Sequence, residues 1–141
     1  MPPSSPAAGH PLRLVIVEDE ALLAMSMEDS LLDAGHEVLG VADDLASALA
    51  LAGRTRPDLA LVDVQLLRGS SGLDVAARFA ELGIPCLFVT GNCPAERGRT
   101  AALGCLHKPA DERSLLAAVV AARAVIRGEA PCALPSGMHL Y

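Results

Sequence analysis

A chain of 141 residues with 11 basic and 17 acidic side chains, a formal net charge of -6, is the size of one domain. Apolar residues make up 52% of it, yet only Phe79, Phe88 and Tyr141 are aromatic, so the core is built from Leu, Val, Ile and Ala, and neither a basic run nor an aromatic platform offers a surface to nucleic acid. No apolar run approaches the roughly eighteen residues of a membrane span, and the opening MPPSSPAAGHP lacks the basic and apolar stretches of a signal peptide, so a cytoplasmic protein with no membrane association is expected.

Residues 1–11, rich in Pro, Ser, Ala and Gly, read as a flexible tail, residues 12–127 as the folded domain, and residues 128–141 as a second flexible tail. The domain opens with the apolar run Leu12 to Val17, which stops at Glu18, Asp19 and Glu20 as a buried strand does at a sheet edge. From Glu20 to Ala34 apolar residues recur at helical spacing, and Gly35 follows as a C-terminal cap. The strand Glu37 to Ala42 leads to a helix capped by Asp43 or Asp44 and running to about Gly53. The strand DLALVDV follows Pro57, the loop Arg68 to Gly72 comes next, and a helix runs from Leu73 to Leu82 before Gly83. A fourth strand, PCLFVT, ends at Thr90, and a fifth, GCLH, ends at Lys108. Asp111 then caps a helix striped by Leu115, Val119, Ala122 and Ile126. Five strand-then-helix units with short connections imply a doubly wound parallel sheet covered on both faces, an α/β fold.

In such sheets ligands bind outside the carboxyl ends of the strands. There the sequence places Glu18 and Asp19, Asp63, Thr90 and Lys108, the single lysine among eleven basic residues. Taken alone, Glu18 and Asp19 read as helix caps, Thr90 as a β-branched strand residue and Lys108 as a surface lysine. Asp63 is different, because an ionised carboxylate at the end of LALV is costly without a partner or a metal. Together the five groups make a coherent chemistry. Clustered carboxylates favour a hard cation such as Mg²⁺, one oxygen of Asp63 can act as a nucleophile, and a hydroxyl and an ammonium suit the outer oxygens of a phosphoryl group.

These pieces, VIVED, LALVDV, FVTG and HKP in that order, resemble the receiver domain of two-component response regulators over about residues 12–127. The resemblance implies a flavodoxin-like five-stranded sheet of order 2-1-3-4-5 and a single-domain, non-enzymatic phosphoacceptor within a phosphorelay. Asp63 would take a phosphoryl group from a sensor histidine kinase. Mg²⁺ would be held by Asp19 and Asp63, by Glu18 through water and by the backbone carbonyl of Gln65, while Thr90 and Lys108 would bind the phosphoryl oxygens. The string FVTGNC and the loop LLRGSSGLD are similar to a FATGUY-type subgroup of stand-alone receivers often served by HWE-type kinases. About fourteen residues follow the last helix, so output is expected through a protein target, or the domain drains phosphoryl groups as a sink.

Departures from the family pattern stand beside the matches. The switch position three residues before the lysine, usually aromatic, is Cys105, and Ala110 follows the Lys-Pro pair. The interval from Thr90 to Lys108 is about one helical turn short, and its filling is a weak helix former. These departures keep a non-phosphorylated pseudo-receiver open as an alternative. A haloacid-dehalogenase-type phosphohydrolase is the more distant one, because Gln65 stands where that chemistry needs an acid. The four cysteines, Cys86, Cys93, Cys105 and Cys132, form no CxxC pair, so neither a zinc site nor a disulfide framework is expected, and Cys105 reads as a small buried hydrophobe in preference to a redox-sensitive replacement for the switch ring. Met25, Met27, Leu31 and Leu32 of the first helix, together with the short fourth-helix region between Thr90 and Lys108, are candidate docking surfaces.

Overall fold

The computed structural model describes residues 11–94, 101–131 and 133–141. Six strands form one sheet in the order β2-β1-β3-β4-β5-β6. The first five are parallel: β1 (Arg13–Val17), β2 (Glu37–Ala42), β3 (Leu59–Val62), β4 (Cys86–Thr90) and β5 (Gly104–His107). The expected order is therefore present, with one addition. β6 (Met138–Leu140) pairs antiparallel with β5 in a segment that reads as a tail from composition alone. Its anchors explain the difference: Met138 is buried with the core of one face, and Tyr141 packs against the core of the other.

The helices are α1 (Ala21–Asp33), α2 (Leu45–Thr55), α3 (Gly72–Glu81) and α4 (Glu112–Ile126), with a 3₁₀ turn at Leu67–Gly69. Alternation along β1 assigns them to faces. Leu14 and Ile16 point to the side covered by α1 through Met27 and Leu31 and by α4 through Leu115, Ala118 and Val119. Val15 and Val17 point to the side covered by α2 through Ala48 and Leu51 and by α3 through Val75, Ala76 and Phe79. Because both faces are covered, β1 and β3 are continuous apolar runs rather than alternating ones. The expected helix between β4 and β5 falls largely on residues 95–100, outside the described residues. Among the described residues of that connection none is helical.

Helix ends follow local chemistry. Asp44 rather than Asp43 caps α2, accepting from the Ser47 N–H at 2.8 Å and from the Ser47 hydroxyl at 2.7 Å. The helix continues past Gly53 and ends at Arg56, which takes a left-handed conformation with φ 53°. Of the first-helix residues considered for docking, Met27 and Leu31 belong to the core, whereas Met25 and Leu32 are exposed.

Candidate functional site

Two connections bring the acidic residues together, and a third adds a lysine. Glu18 is the residue after β1, and its N–H donates to the Ala42 carbonyl at 2.9 Å. Asp63 is the residue after β3, and its N–H donates to the Val17 carbonyl at 2.9 Å. The adjacent strands β1 and β3 therefore end side by side, and carboxylate oxygens of Glu18, Asp19 and Asp63 all lie within 4.8 Å of one another. Lys108 reaches this cluster from the end of β5. Its Nζ donates to Glu18 Oε1 at 2.7 Å and to Asp63 Oδ2 at 2.9 Å. Its backbone N–H donates to the Thr90 carbonyl at 3.0 Å, and the bond to Pro109 is cis.

The ammonium sets the electrostatics of the site. Glu18 is only 3% exposed. Burial raises its pKa, against the opposing pull of the Lys108 hydrogen bond. For Lys108 burial disfavours the charged form, but its hydrogen bonds to Glu18 and Asp63 outweigh this and raise its pKa. Three carboxylates against one ammonium leave a formal excess of two negative charges in a half-buried pocket of oxygen donors. That surplus and that donor set fit a hard divalent cation.

The remaining expected residues lie in the same region in different ways. Thr90 ends β4, is 1% exposed, and its hydroxyl accepts from the Asn92 N–H at 3.2 Å. Among the described residues no hydrogen bond joins Thr90 to Asp63, and its hydrogen bond with Lys108 is between backbone groups. Gln65 is exposed, and its N–H donates to Asp63 Oδ1 at 3.3 Å. Cys105 is fully buried on the α2 and α3 side of β5, as a small hydrophobe would be. The expectation that it carries no bond is corrected, because Cys93 and Cys105 form a disulfide with a Cα–Cα distance of 5.9 Å. The pair is twelve residues apart in sequence and becomes adjacent only because β5 lies beside β4.

Sequence reasoning also missed a clamp on the loop after Asp63. Arg68, left-handed with φ 58°, donates from Nε to Asp44 Oδ2 at 2.6 Å and bonds Asp43 Oδ1 at 3.1 Å. The signal was available in the Asp43-Asp44 pair, since only one of them is needed as a cap. Ser70 adds a second tie, its hydroxyl accepting from the Leu45 N–H at 3.1 Å.

The family model for the response regulator receiver domain matches residues 14–120. The chain belongs to this family. Receiver-domain regulators are as a rule signalling proteins rather than enzymes. The receiver chain is 40% identical over 86 residues to the phyllosphere-induced regulator PhyR of Methylorubrum extorquens, covering 60% of this chain and 32% of that protein. It is 35% identical over 123 residues to the transcriptional regulatory protein PdtaR of Mycobacterium tuberculosis, covering 84% of this chain and 60% of that one. It thus spans about a third and three fifths of these two relatives. The anti-anti-sigma factor PhyR from Bartonella quintana superposes with a TM-score of 0.74 at 26% identity, covering 87% of this chain and 52% of that chain. The same protein in complex with the anti-sigma factor NepR matches with a TM-score of 0.54 at 32% identity, over 58% of this chain and 35% of that one. Among the described residues no helix is long and apolar enough to cross a membrane.

Proposed function

We propose that this receiver is the phosphoacceptor of a two-component phosphorelay, and that Asp63 takes the phosphoryl group from a phosphohistidine of a sensor histidine kinase. A carboxylate oxygen of Asp63 attacks phosphorus, the P–N bond to the imidazole breaks, and the imidazole nitrogen leaves with the bonding electron pair and is protonated. The observation that carries this reading is the convergence of Glu18, Asp19, Asp63 and Lys108 on one point of the sheet edge. Mg²⁺ would be held by Asp19 and Asp63, with Glu18 assisting and the Gln65 carbonyl as a further oxygen. It would neutralise charge on the transferred group.

The chain's own residues supply the rest. Lys108 offers a compact ammonium that can exchange one carboxylate for a phosphoryl oxygen without leaving the site. Thr90, buried at the next strand end, offers a hydroxyl that turns from the Asn92 N–H toward the same oxygens. The family's non-enzymatic character and the complex of a relative with an anti-sigma factor support output through a protein target. The subgroup resemblance points to a kinase of the HWE type.

Incubating the chain with acetyl phosphate and Mg²⁺ and reading intact mass tests the assignment. One phosphoryl increment is expected in the wild type, none after Asp63→Asn and none with the metal chelated. A wild type that gains no mass favours the pseudo-receiver, and sustained turnover of a phosphomonoester refutes the phosphoacceptor.

A further inference from the structure

The cysteine pair lies where a change in covalent state would act on the proposed response. Cys93 is three residues past Thr90, half-buried, in the segment Gly91–Pro94. Cys105 is fully buried on β5, level with Phe88 of β4. Thr90 and Cys93 are thus the two ends of a short piece of chain, with the Thr90 hydroxyl held by Asn92 at one end and Cys93 bonded to Cys105 at the other. The Pro94 carbonyl accepts from the Tyr141 hydroxyl just beyond.

Nothing in the core calls for a covalent staple. Both sheet faces are packed with fully buried Leu, Val, Ile and Phe, and disulfides are built into small domains mainly where such a core is lacking. In a reducing compartment, a disulfide that forms in such a domain is a transient, redox-sensing one. The two partners also divide the chemistry. Cys93 is the less buried of the two, on a half-buried stretch of the connection, whereas Cys105 is fully buried within β5. The remaining described thiol, Cys86, is buried with its pKa pushed up to about 12, which leaves it inert.

We propose that Cys93 and Cys105 are an oxidant-reactive dithiol whose disulfide locks the Gly91–Pro94 segment and so disconnects Thr90 from the rest of the domain. This deepens the phosphoacceptor reading and rests on it. The oxidant is a peroxide. The Cys93 thiolate attacks one peroxide oxygen, the S–O bond forms, the O–O bond breaks, and hydroxide leaves to become water. Cys105 as thiolate then attacks the Cys93 sulfur, the S–S bond forms, and the S–O bond breaks with loss of a second hydroxide that is protonated. In total two thiols and one hydrogen peroxide give one disulfide and two waters. A dithiol reductant reverses the change by two exchange steps and ends as a disulfide itself.

In the reduced state the segment is free to follow Thr90 when its hydroxyl leaves Asn92 for a phosphoryl oxygen. In the oxidised state Asp63 still accepts the group, since Asp63, Glu18, Asp19 and Lys108 lie outside the bonded pair. The segment does not follow.

The full chain carrying Cys132→Ser tests this after treatment with dithiothreitol or with hydrogen peroxide. Alkylation with N-ethylmaleimide under denaturing conditions, read by intact mass, is expected to show two fewer free thiols after peroxide. Dithiothreitol should restore both under native conditions, and Cys93→Ser should abolish the loss. Amide hydrogen exchange over residues 91–93 is then compared with and without acetyl phosphate and Mg²⁺. A change on the order of tenfold is expected in the reduced chain, in Cys93→Ser and in Cys105→Val, and none in the oxidised chain. A disulfide that does not form with peroxide, or does not yield to dithiothreitol in the folded chain, overturns the proposal. So does an equal exchange response in both states, and in that case the phosphoacceptor reading survives. If Asp63 takes up no phosphoryl group in either state, the phosphoacceptor reading fails and the switch falls with it, whatever alkylation shows.

Discussion

Replacing Gly72 by alanine perturbs the joint between α3 and the strand that carries Asp63. Gly72 opens α3, and its N–H donates to the Val64 carbonyl at 2.7 Å. A methyl group built on it would overlap the Asp63 carbonyl oxygen and stand 2.7 Å from the Val64 Cα and 2.8 Å from the Asp63 carbonyl carbon. Carbon atoms in contact sit about 3.5 to 4.0 Å apart, so the two backbones must separate by about 1 Å. All of these neighbours are main-chain atoms with no rotamer to yield, which puts the cost near the top of the about 1–3 kcal/mol typical of overpacking. The smaller unfolded-state entropy of alanine offsets about 0.4–1 kcal/mol, leaving a net loss of about 2 kcal/mol. For a chain of this length each kcal/mol lowers Tm by roughly 3–5 °C, so a fall of about 6–10 °C is expected by circular dichroism. Gly53 is the internal control. It lies exposed within α2 with open space where a Cβ would go, and Gly53→Ala should gain about 0.5–1 kcal/mol. A Gly72→Ala chain that melts at or above the wild-type temperature refutes the reasoning. One that melts lower yet labels Asp63 with acetyl phosphate at the wild-type rate shows that the joint holds the fold without positioning the carboxylate.

Other expectations follow from the same geometry. Lys108→Arg keeps the charge but replaces a point donor, shared between Glu18 and Asp63, by a planar fork. Asp63 should still be labelled while the exchange response at residues 91–93 disappears, and a normal response would count against Lys108 as reporter. The Asp44 carboxyl, held down to about 2 first by its Ser47 hydrogen bonds and then by Arg68, stabilises the fold at any pH above its unfolded value near 4. That contribution drains away as pH falls through 2. The stability gap between wild type and Asp44→Asn, measured by urea unfolding, should therefore be constant above about pH 4 and close toward pH 2. A gap independent of pH over that range would show that the cap does not depend on the charge. Removing residues 137–141 uncovers Met138's place in the core and the outer edge of β5, and should cost about 2–3 kcal/mol in the same assay. No loss would mean that β6 is not part of the stable sheet.

How far the sequence reveals this molecule depends on whether the information is local. The first five strands are short apolar runs bounded by charge or glycine, and burial on both faces leaves no other reading for Leu14 to Val17 or for Leu59 to Val62. Strand ends sharing one sheet edge follow from parallel topology, so Glu18, Asp19, Asp63 and Lys108 are predictable as a group before any coordinate is known. What local pattern does not carry is pairing between distant segments. The Cys93–Cys105 bond depends on β4 and β5 being neighbours, and a separation of twelve positions without a CxxC spacing conceals it. The Arg68 clamp depends on α2 and the loop after β3 meeting across the sheet top, which composition does not report. β6 left one trace. Gly104 sits inside a strand, where glycine is unfavourable, and a Cβ there would stand 3.1 Å from the Leu140 Cα. A glycine in a strand marks a close backbone approach, and β6 is the backbone that approaches.

That strand changes what is available to a partner. A sheet ending at β5 would present unpaired N–H and C=O groups beside the segment that follows Thr90, open to addition of a strand from another chain. Here Gly104, Cys105 and Leu106 are paired with Leu140, His139 and Met138, and the His107 N–H donates to the Gly137 carbonyl at 2.9 Å. The inner edge is consumed. His139 also lies between His107 and Tyr141, tilted to the first with centroids 5.7 Å apart and edge-to-face with the second at 5.0 Å, so the strip is held by side chains as well as by the ladder. A protein that reads β5 must therefore do so through side chains around β6, or displace β6 first. Displacement would also withdraw the Tyr141 hydroxyl from the Pro94 carbonyl, loosening the very segment that the disulfide tightens. Occupancy of the β5 edge and the covalent state of Cys93 thus act on the same four residues, Gly91 to Pro94, from opposite sides.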